Sequence, residues 1–393
     1  MKLWKKSYTV DERIEKYTVG DDPVLDLVIA PYDCVASMAH AKMLHKIGIL
    51  KTAELDAILT ELDNILQSIQ NGNFNIDPAD EDCHTAIENR LTQKLGETGK
   101  KIHTARSRND QVLTALRLYY KHQIAEIEIT IHSFLGTVEA FIGSYGPAIF
   151  PGYTHTRKAM PSSMSMWAGA ILSAMEDNLR QLKSLHDLID QSPLGTAAGY
   201  GVPLEIDREF TAAEMGFARV QRNPIYAQMS RGKFEGAILH LLSFIMFDLN
   251  KFAGDLILFS MPEFAYFSLP DQFLTGSSIM PHKKNPDVLE LVRANYHRVT
   301  SAEFEVKSMI ANLINGYHRD FQLLKAPVIR GFDITLDSLA IMDHVFANLK
   351  VNAENCSKAL SEELYATEKV YELVKQGRSF RDAYREIGKQ YEK

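Results

Sequence analysis

The sequence predicts an all-α fold built on a bundle of long helices, and three observations carry that expectation. Leu55, Ile58, Leu59, Leu62, Ile65, Leu66 and Ile69 recur at the three and four spacing of one helix face. Four further stretches, roughly 109–141, 163–190, 231–260 and 287–315, have almost no internal proline and are rich in Leu, Ile, Ala, Glu and Lys. Each is far longer than the average helix of about 11–12 residues. Alternating strand patterns are scarce, and there are no internal repeats or low-complexity tracts.

Taken in order, the helix over 55–69 stops at "NGN", which supplies the asparagine and glycine that commonly end one. The stretch 109–141 opens after "HTARSRNDQ", where Asn109 or Asp110 stands at a capping position. In 231–260 the apolar residues Phe234, Ile238, Leu241, Leu242, Ile245, Leu249, Phe252, Leu256 and Ile257 cover more than one face, as in a helix surrounded by others. Asp287 stands near the start of the last long stretch.

Composition narrows the function classes. A chain of 393 residues with 46% hydrophobic and 24% charged residues buries a core, as two or three domains or as one elongated domain. The net charge of −7 argues against a general nucleic-acid surface, so an anionic partner must be met locally. Cys34, Cys83 and Cys356 lie far apart with no CxxC spacing, which suggests neither a disulfide framework nor a zinc site, and a reducing compartment. The start, "MKLWKKSYTVDERIEKY", has no apolar core behind its basic residues, and no apolar run approaches the roughly 20 residues of a membrane span. The expected location is cytoplasmic.

The chemistry falls between the helices. "TGSSIMPHKKNP" (275–286) sets Ser277, Ser278, Lys283 and Asn285 in a loop that Gly276 frees and Pro281 and Pro286 keep from becoming helical. A serine near an ammonium can serve as a base, and a lysine with an amide can hold a carboxylate or a developing oxyanion. The plainer alternative is a polar turn before a helix. "PGYTHTRKAMPSS" (151–163) reads as a second proline-bounded polar loop, with His155 suited to proton exchange near neutral pH and Arg157 and Lys158 making it cationic. A lone histidine is more often structural. Arg106, Arg108 and Asn109 stand where a long helix starts, a place that favours anions.

Tyr317, Arg319, Gln322 and Lys325 follow at spacings that one helical turn brings toward one side. A solvated helix face explains each alone, but four cationic loops in a chain of net negative charge fit a small polyanionic substrate. "DEDCHT" (80–85) lacks the companions a metal site needs. "GTAAGYGVP" (195–203) lacks the strand-turn-helix context of a phosphate loop and reads as a turn or tight packing.

These segments carry a resemblance. "GSSIMPHKKNP" is similar to the loop pattern GSSxMPxKxN of the fumarase/aspartase superfamily. "HTARSRNDQV", "PGYTH", "LGTAAGYGVPLEIDRE" and "TGSSIMPHKKNPDVLELVR" together resemble the argininosuccinate lyases, from about Asp26 to about Lys389. The resemblance implies a homotetramer with a twenty-helix core and active sites shared between subunits. It implies an N-terminal helical domain (1–106), a central long-helix bundle (107–352) and a partial C-terminal helical domain (353–393). It also implies cleavage of the C–N bond of argininosuccinate to arginine and fumarate by β-elimination, with no cofactor and no metal.

By the same resemblance Ser277 would remove the proton beside the leaving nitrogen, and His155 would pair with Glu290 to assist proton transfer. Ser37, Asn109, Thr154, Lys283 and Asn285 would hold the succinyl carboxylates. Arg108, Tyr317, Gln322 and Lys325 would contact the arginine-like half. Three places depart from the family pattern: Arg157 replaces a glutamine, Leu323 and Leu324 replace an acidic pair, and His282 resembles adenylosuccinate lyases. An added cation and a lost acidic pair would suit an N-acylated argininosuccinate. Adenylosuccinate lyase and a non-enzymatic structural relative are the competing readings. The chain also ends soon after "GRSFRDAYREIGKQ", where the family is expected to continue.

Overall fold

A computed structural model describes residues 10–77 and 79–392. Helix α1 (Glu12–Val19) starts where the Asp11 carboxylate accepts the Arg13 and Ile14 amides at 3.0 and 3.2 Å. It is followed by α2 (Asp22–Lys46), α3 (Thr52–Gln70), α4 (Cys83–Leu95) and the short α5 (Glu97–Lys100). Helix α6 (Arg108–Tyr145) is 38 residues long. Ser107 precedes it: its hydroxyl accepts the Asn109 amide at 3.3 Å, and the Asp110 carboxylate reaches back to the Ser107 amide at 3.0 Å. The cap is therefore Ser107, and Asp110 closes the box.

Strands β1 (Ile149–Thr154) and β2 (Arg157–Ser163) form an antiparallel hairpin, where the proline-bounded segment reads as a loop in sequence. The prolines fit because Pro151 and Pro161 face each other in a two-stranded ribbon with an irregular register. Next come α7 (Met164–Ile189), β3 (Gln191–Ser192), α8 (Arg208–Glu214), β4 (Arg219–Val220), α9 (Pro224–Met229) and α10 (Lys233–Phe259). β3 pairs in parallel with β4. The chain continues through β5 (Phe267–Ser268), α11 (Asp287–Met309), α12 (Lys325–Asn348), β6 (Lys350–Val351), α13 (Ala353–Lys358), α14 (Ala366–Lys375) and α15 (Phe380–Gly388). α11 ends at Met309, short of the predicted residue 315, and three residues later the backbone turns left-handed at Asn312, with φ of 66°.

The chain forms two compact units. The first holds the described residues up to Glu126, Leu182–His240 and Ser301–Phe332; the second holds Ile127–Gln181, Leu241–Thr300 and Asp333 onward. In the first, α2 packs on α3, α4 and α8, and Ile58, Leu62 and Ile65 of α3 are fully buried, as their spacing predicts. Each such burial contributes about 1.5–3 kcal/mol. Tyr119 and Tyr120 of α6 close on Phe332 of α12 with ring centres 5.9 and 6.2 Å apart.

Helix α2 is long and apolar enough to cross a membrane by length and hydropathy, contrary to the expectation that no stretch of the chain is. Its interior carries Pro31, and Asp22, Asp26 and Asp33 are buried in it. The buried carboxylates have charged partners within the first unit, described below, so α2 serves as a core helix there.

The second unit is organised by Trp167 of α7. Its indole stacks on Phe346 at 5.9 Å, meets Phe267 at 4.9 Å, and donates its N–H to Asp255 of α10 at 2.9 Å. Near the C-terminus, Val370, Ala383 and Ile387 join α14 and α15 in a small core of their own.

Candidate active site

Three groups of residues bear the chemistry, two in the second unit and one in the first. In the second unit, the loop before α11 is closed at its base, where Thr275 and Asn285 exchange backbone hydrogen bonds of 3.0 and 2.8 Å. The Asn285 amide donates to the Gly276 carbonyl at 3.3 Å, and the Thr275 hydroxyl donates to Asp287 at the helix start. Within this frame the Ser277 hydroxyl oxygen accepts the amides of Ile279 and Met280 at 3.4 and 3.1 Å. Amides aimed at that oxygen favour its ionised form, the state in which serine takes a proton. Lys284 is tied to Asp271 at 2.7 Å, whereas Lys283 is exposed and has no ion-pair partner among the described residues.

The hairpin presents the second group at its tip. Thr154 ends β1, Arg157 begins β2, and the turn between them is His155 and Thr156, with φ of 51° and 59°. Two successive left-handed residues match the right-handed twist of a hairpin, and side chains other than glycine or asparagine adopt that conformation at a cost. The exposed imidazole of His155 is thus held on a strained turn. His155 and Glu290 share no hydrogen bond or ion pair among the described residues, and none joins the hairpin to the 275–286 loop.

The third group lies wholly in the first unit, where Arg108, Tyr317, Gln322 and Lys325 line one narrow cleft together with Asp22, Asp26, Asp82, His84 and Arg231. Residues 319–324 form a 3₁₀ turn that runs into α12. Gln322 donates to the carbonyls of Thr18 and Val19 at 3.1 and 3.0 Å, and Arg319 donates to Thr18 at 2.5 Å. The turn is thereby strapped to the end of α1. Lys325, only 3% exposed, sits 2.6 Å from Asp22 and 2.5 Å from Asp26. Burial opposes its charge, but the two carboxylates outweigh that and raise its pKa.

Arg108 is similarly engaged, with Nε 2.5 Å from Asp82 and its other nitrogens 3.6 and 3.7 Å from Glu81 and Asp22. His84 lies 3.0 Å from Asp33, both fully buried. Burial works against the imidazolium, yet Asp33, Asp82 and Asp26 prevail and push its pKa up to about 9.

Two predicted residues stand outside this cleft. Ser37 of α2 is 1% exposed and accepts Arg106 at 2.8 Å, while Arg106 also reaches Glu88 at 3.2 Å. Asn109 stands beside Arg108 in the first turn of α6. The sequence reading missed Asp22, Asp26, Asp82, His84 and Arg231. The signal for Asp82 and His84 was "DEDCHT", whose Asp82 caps α4 by accepting the Thr85 amide at 2.7 Å while its other oxygen meets Arg108; no motif announced Asp22, Asp26 or Arg231. The segment "GTAAGYGVP" is a turn, as read: the Asp110 carboxylate accepts the amides of Gly195 and Ala197 at 2.9 and 2.8 Å.

A family model described as a lyase matches residues 1–301. An argininosuccinate lyase from Thermotoga neapolitana is 55% identical over 390 residues, which are 99% of this chain and 98% of that protein. The chain belongs to the argininosuccinate lyase family. Another member of that family, from Xylella fastidiosa, is 43% identical over 98% of this chain and 87% of its own length.

Among solved structures, an EDDS lyase in complex with formate superposes with a TM-score of 0.82 at 24% identity, covering 97% of this chain and 76% of that one. A class II fumarase from Schistosoma mansoni superposes with a TM-score of 0.81 at 16% identity, covering 95% and 91%. The fold of the argininosuccinate lyase family member described here is thus the all-α fumarase/aspartase fold.

Proposed function

We propose that this chain cleaves argininosuccinate to arginine and fumarate, with Ser277 as the base. The observation that carries the reaction is the 55% identity to an argininosuccinate lyase over nearly the whole of both chains. Ser277 removes the proton from the carbon beside the leaving nitrogen, and its electron pair spreads into the adjacent carboxylate. Lys283, with no carboxylate partner among the described residues, and Asn285 stabilise that charge more than they stabilise the substrate. The C–N bond then breaks, its electrons stay on the guanidino nitrogen, and a double bond forms to give fumarate. His155, with Glu290, assists delivery of a proton to the nitrogen, while Ser37, Asn109 and Thr154 hold succinyl carboxylates. Arg108, Tyr317, Gln322 and Lys325 face the arginine half.

Residues 1–106, 107–352 and 353–393 serve as the N-terminal, central and C-terminal functional segments of a cytoplasmic homotetramer. Exposed apolar side chains on long helices of the second unit support association, among them Met166, Phe247, Leu258 and Leu291 at 69%, 38%, 41% and 65% exposure. The test of function is fumarate release, followed by ultraviolet absorbance, with argininosuccinate, an N-succinylated argininosuccinate and adenylosuccinate offered in parallel. Release from argininosuccinate alone is expected. No release from any substrate by a folded protein would sink the enzymatic reading in favour of a structural one.

Of the departures that suggest an N-acylated substrate, Leu324 is 3% exposed and belongs to the core, and Leu323 faces outward at 62%. Neither leucine lines the cleft, so the lost acidic pair gives no support to an acylated substrate, and only the added cation of Arg157 is left to argue for one.

A further inference from the structure

Against the hairpin, the second unit holds a pocket of about 370 Å³ that the reaction described above leaves unused. Five aromatic rings line it, those of Phe150, Tyr153, Trp167, Phe259 and Phe264, together with the carboxylate of Asp255 on α10. The rings hold one another in place, with Tyr153 and Phe259 centred 5.6 Å apart and Phe259 lying 5.9 Å from both Phe150 and Phe264. The Tyr153 hydroxyl is already engaged with that of Tyr266 at 2.9 Å. Tyr153 therefore offers the pocket its ring rather than its polar tip.

Asp255 is half-buried and accepts the Trp167 indole N–H at 2.9 Å, yet no cation pairs with it among the described residues. Lys251, one turn earlier on α10, sets its ammonium over the Phe247 ring instead, 4.5 Å from the centre. Burial raises the Asp255 pKa more than Trp167 and Lys251 lower it, so the carboxylate carries a cost that an incoming cation would relieve. A carboxylate without a counter-ion among aromatic rings offers a cation two attractions at once, an ion pair and the ring quadrupoles. A neutral molecule gains only the packing, and an anion meets Asp255 as a like charge.

We propose that this pocket binds a small organic cation, a guanidinium or alkylammonium group on a short apolar stem. The charged head meets Asp255 and the stem packs on the rings. A pocket of this size, apolar with one placed charge, is of the kind that small ligands fill. The test titrates the assembled protein with n-propylguanidinium and with its neutral isostere n-propylurea, both at sub-denaturing concentrations, while Trp167 fluorescence is followed. The chain has two tryptophans, Trp4 and Trp167, so the parent for the titration is Trp4→Phe.

n-Propylguanidinium should bind about 10-fold or more tightly than n-propylurea, as expected of a cation–π contact joined to an ion pair. Asp255→Asn keeps an oxygen for the Trp167 indole and removes only the charge, so it should erase that preference. Equal binding of the two probes to the parent overturns the proposal, as does an undiminished preference in Asp255→Asn, which would put the cation elsewhere. Absence of saturable binding overturns it too, because a second copy closing the rim at the exposed Leu258 would leave no free site. Circular dichroism checks the fold of the variants. If Asp255→Asn does not fold, Phe264→Leu decides: it removes one ring and keeps the charge, and should weaken n-propylguanidinium several-fold, whereas unchanged affinity would refute the site.

Discussion

Single side chains in this protein are defined by the partners that reach them. Ser277 is legible in the sequence as a candidate base, but its two amide donors come from the turn that Ile279 and Met280 make over it. Replacing Ser277 with alanine should lower kcat by roughly 10²–10⁴-fold with little change in KM, because the proton transfer is lost and the carboxylate contacts stay. Steady-state fumarate release measures both constants, and a variant that keeps its kcat would remove Ser277 from the role of base.

His84 makes a second residue-scale prediction. Its pKa rises from 6.5 in the unfolded chain to about 9 in the fold, so its contribution is fully present below pH 6.5 and disappears as pH rises through about 9. The loss amounts to about 3 kcal/mol, from the energy of each pKa unit. Urea midpoints measured across this range should fall toward alkaline pH, and the fall should be absent in His84→Asn.

At the scale of elements, the turn over 195–201 depends on one carboxylate in another element. Asp110 accepts three amides, from Ser107, Gly195 and Ala197, while being fully buried. Asp110→Ala should therefore destabilise the protein by about 3 kcal/mol or more, since three buried N–H groups lose their acceptor together. A melting curve close to wild type would show that the turn is held by other means. The long helices and their apolar faces were readable because periodicity of 3.6 is a local property. The hairpin was not, because the turn residues His155 and Thr156 are not those that announce left-handed backbone. The end of α11 falls earlier than the run suggests for a related reason: the left-handed turn at Asn312 lies within a run that otherwise reads as helical.

For the whole molecule, the proposed tetramer predicts that sizing by light scattering finds four chains. Leu291→Arg, at a side chain 65% exposed on α11, should break the assembly and reduce activity together. A fully active monomer would contradict shared active sites.

The sequence by itself determined the helical class, the polar loops between helices and the resemblance to fumarate-releasing lyases, because spacing and loop chemistry are written along the chain. Only the tertiary structure decided that "DEDCHT" anchors a charge cluster through Arg108, that Lys325 is locked between Asp22 and Asp26, and that Arg231 is buried over the rings of Tyr317 and Phe321. Lys325 and Asp26 are 299 positions apart. How a buried charge is satisfied depends on such long-range neighbours, and no local pattern records them.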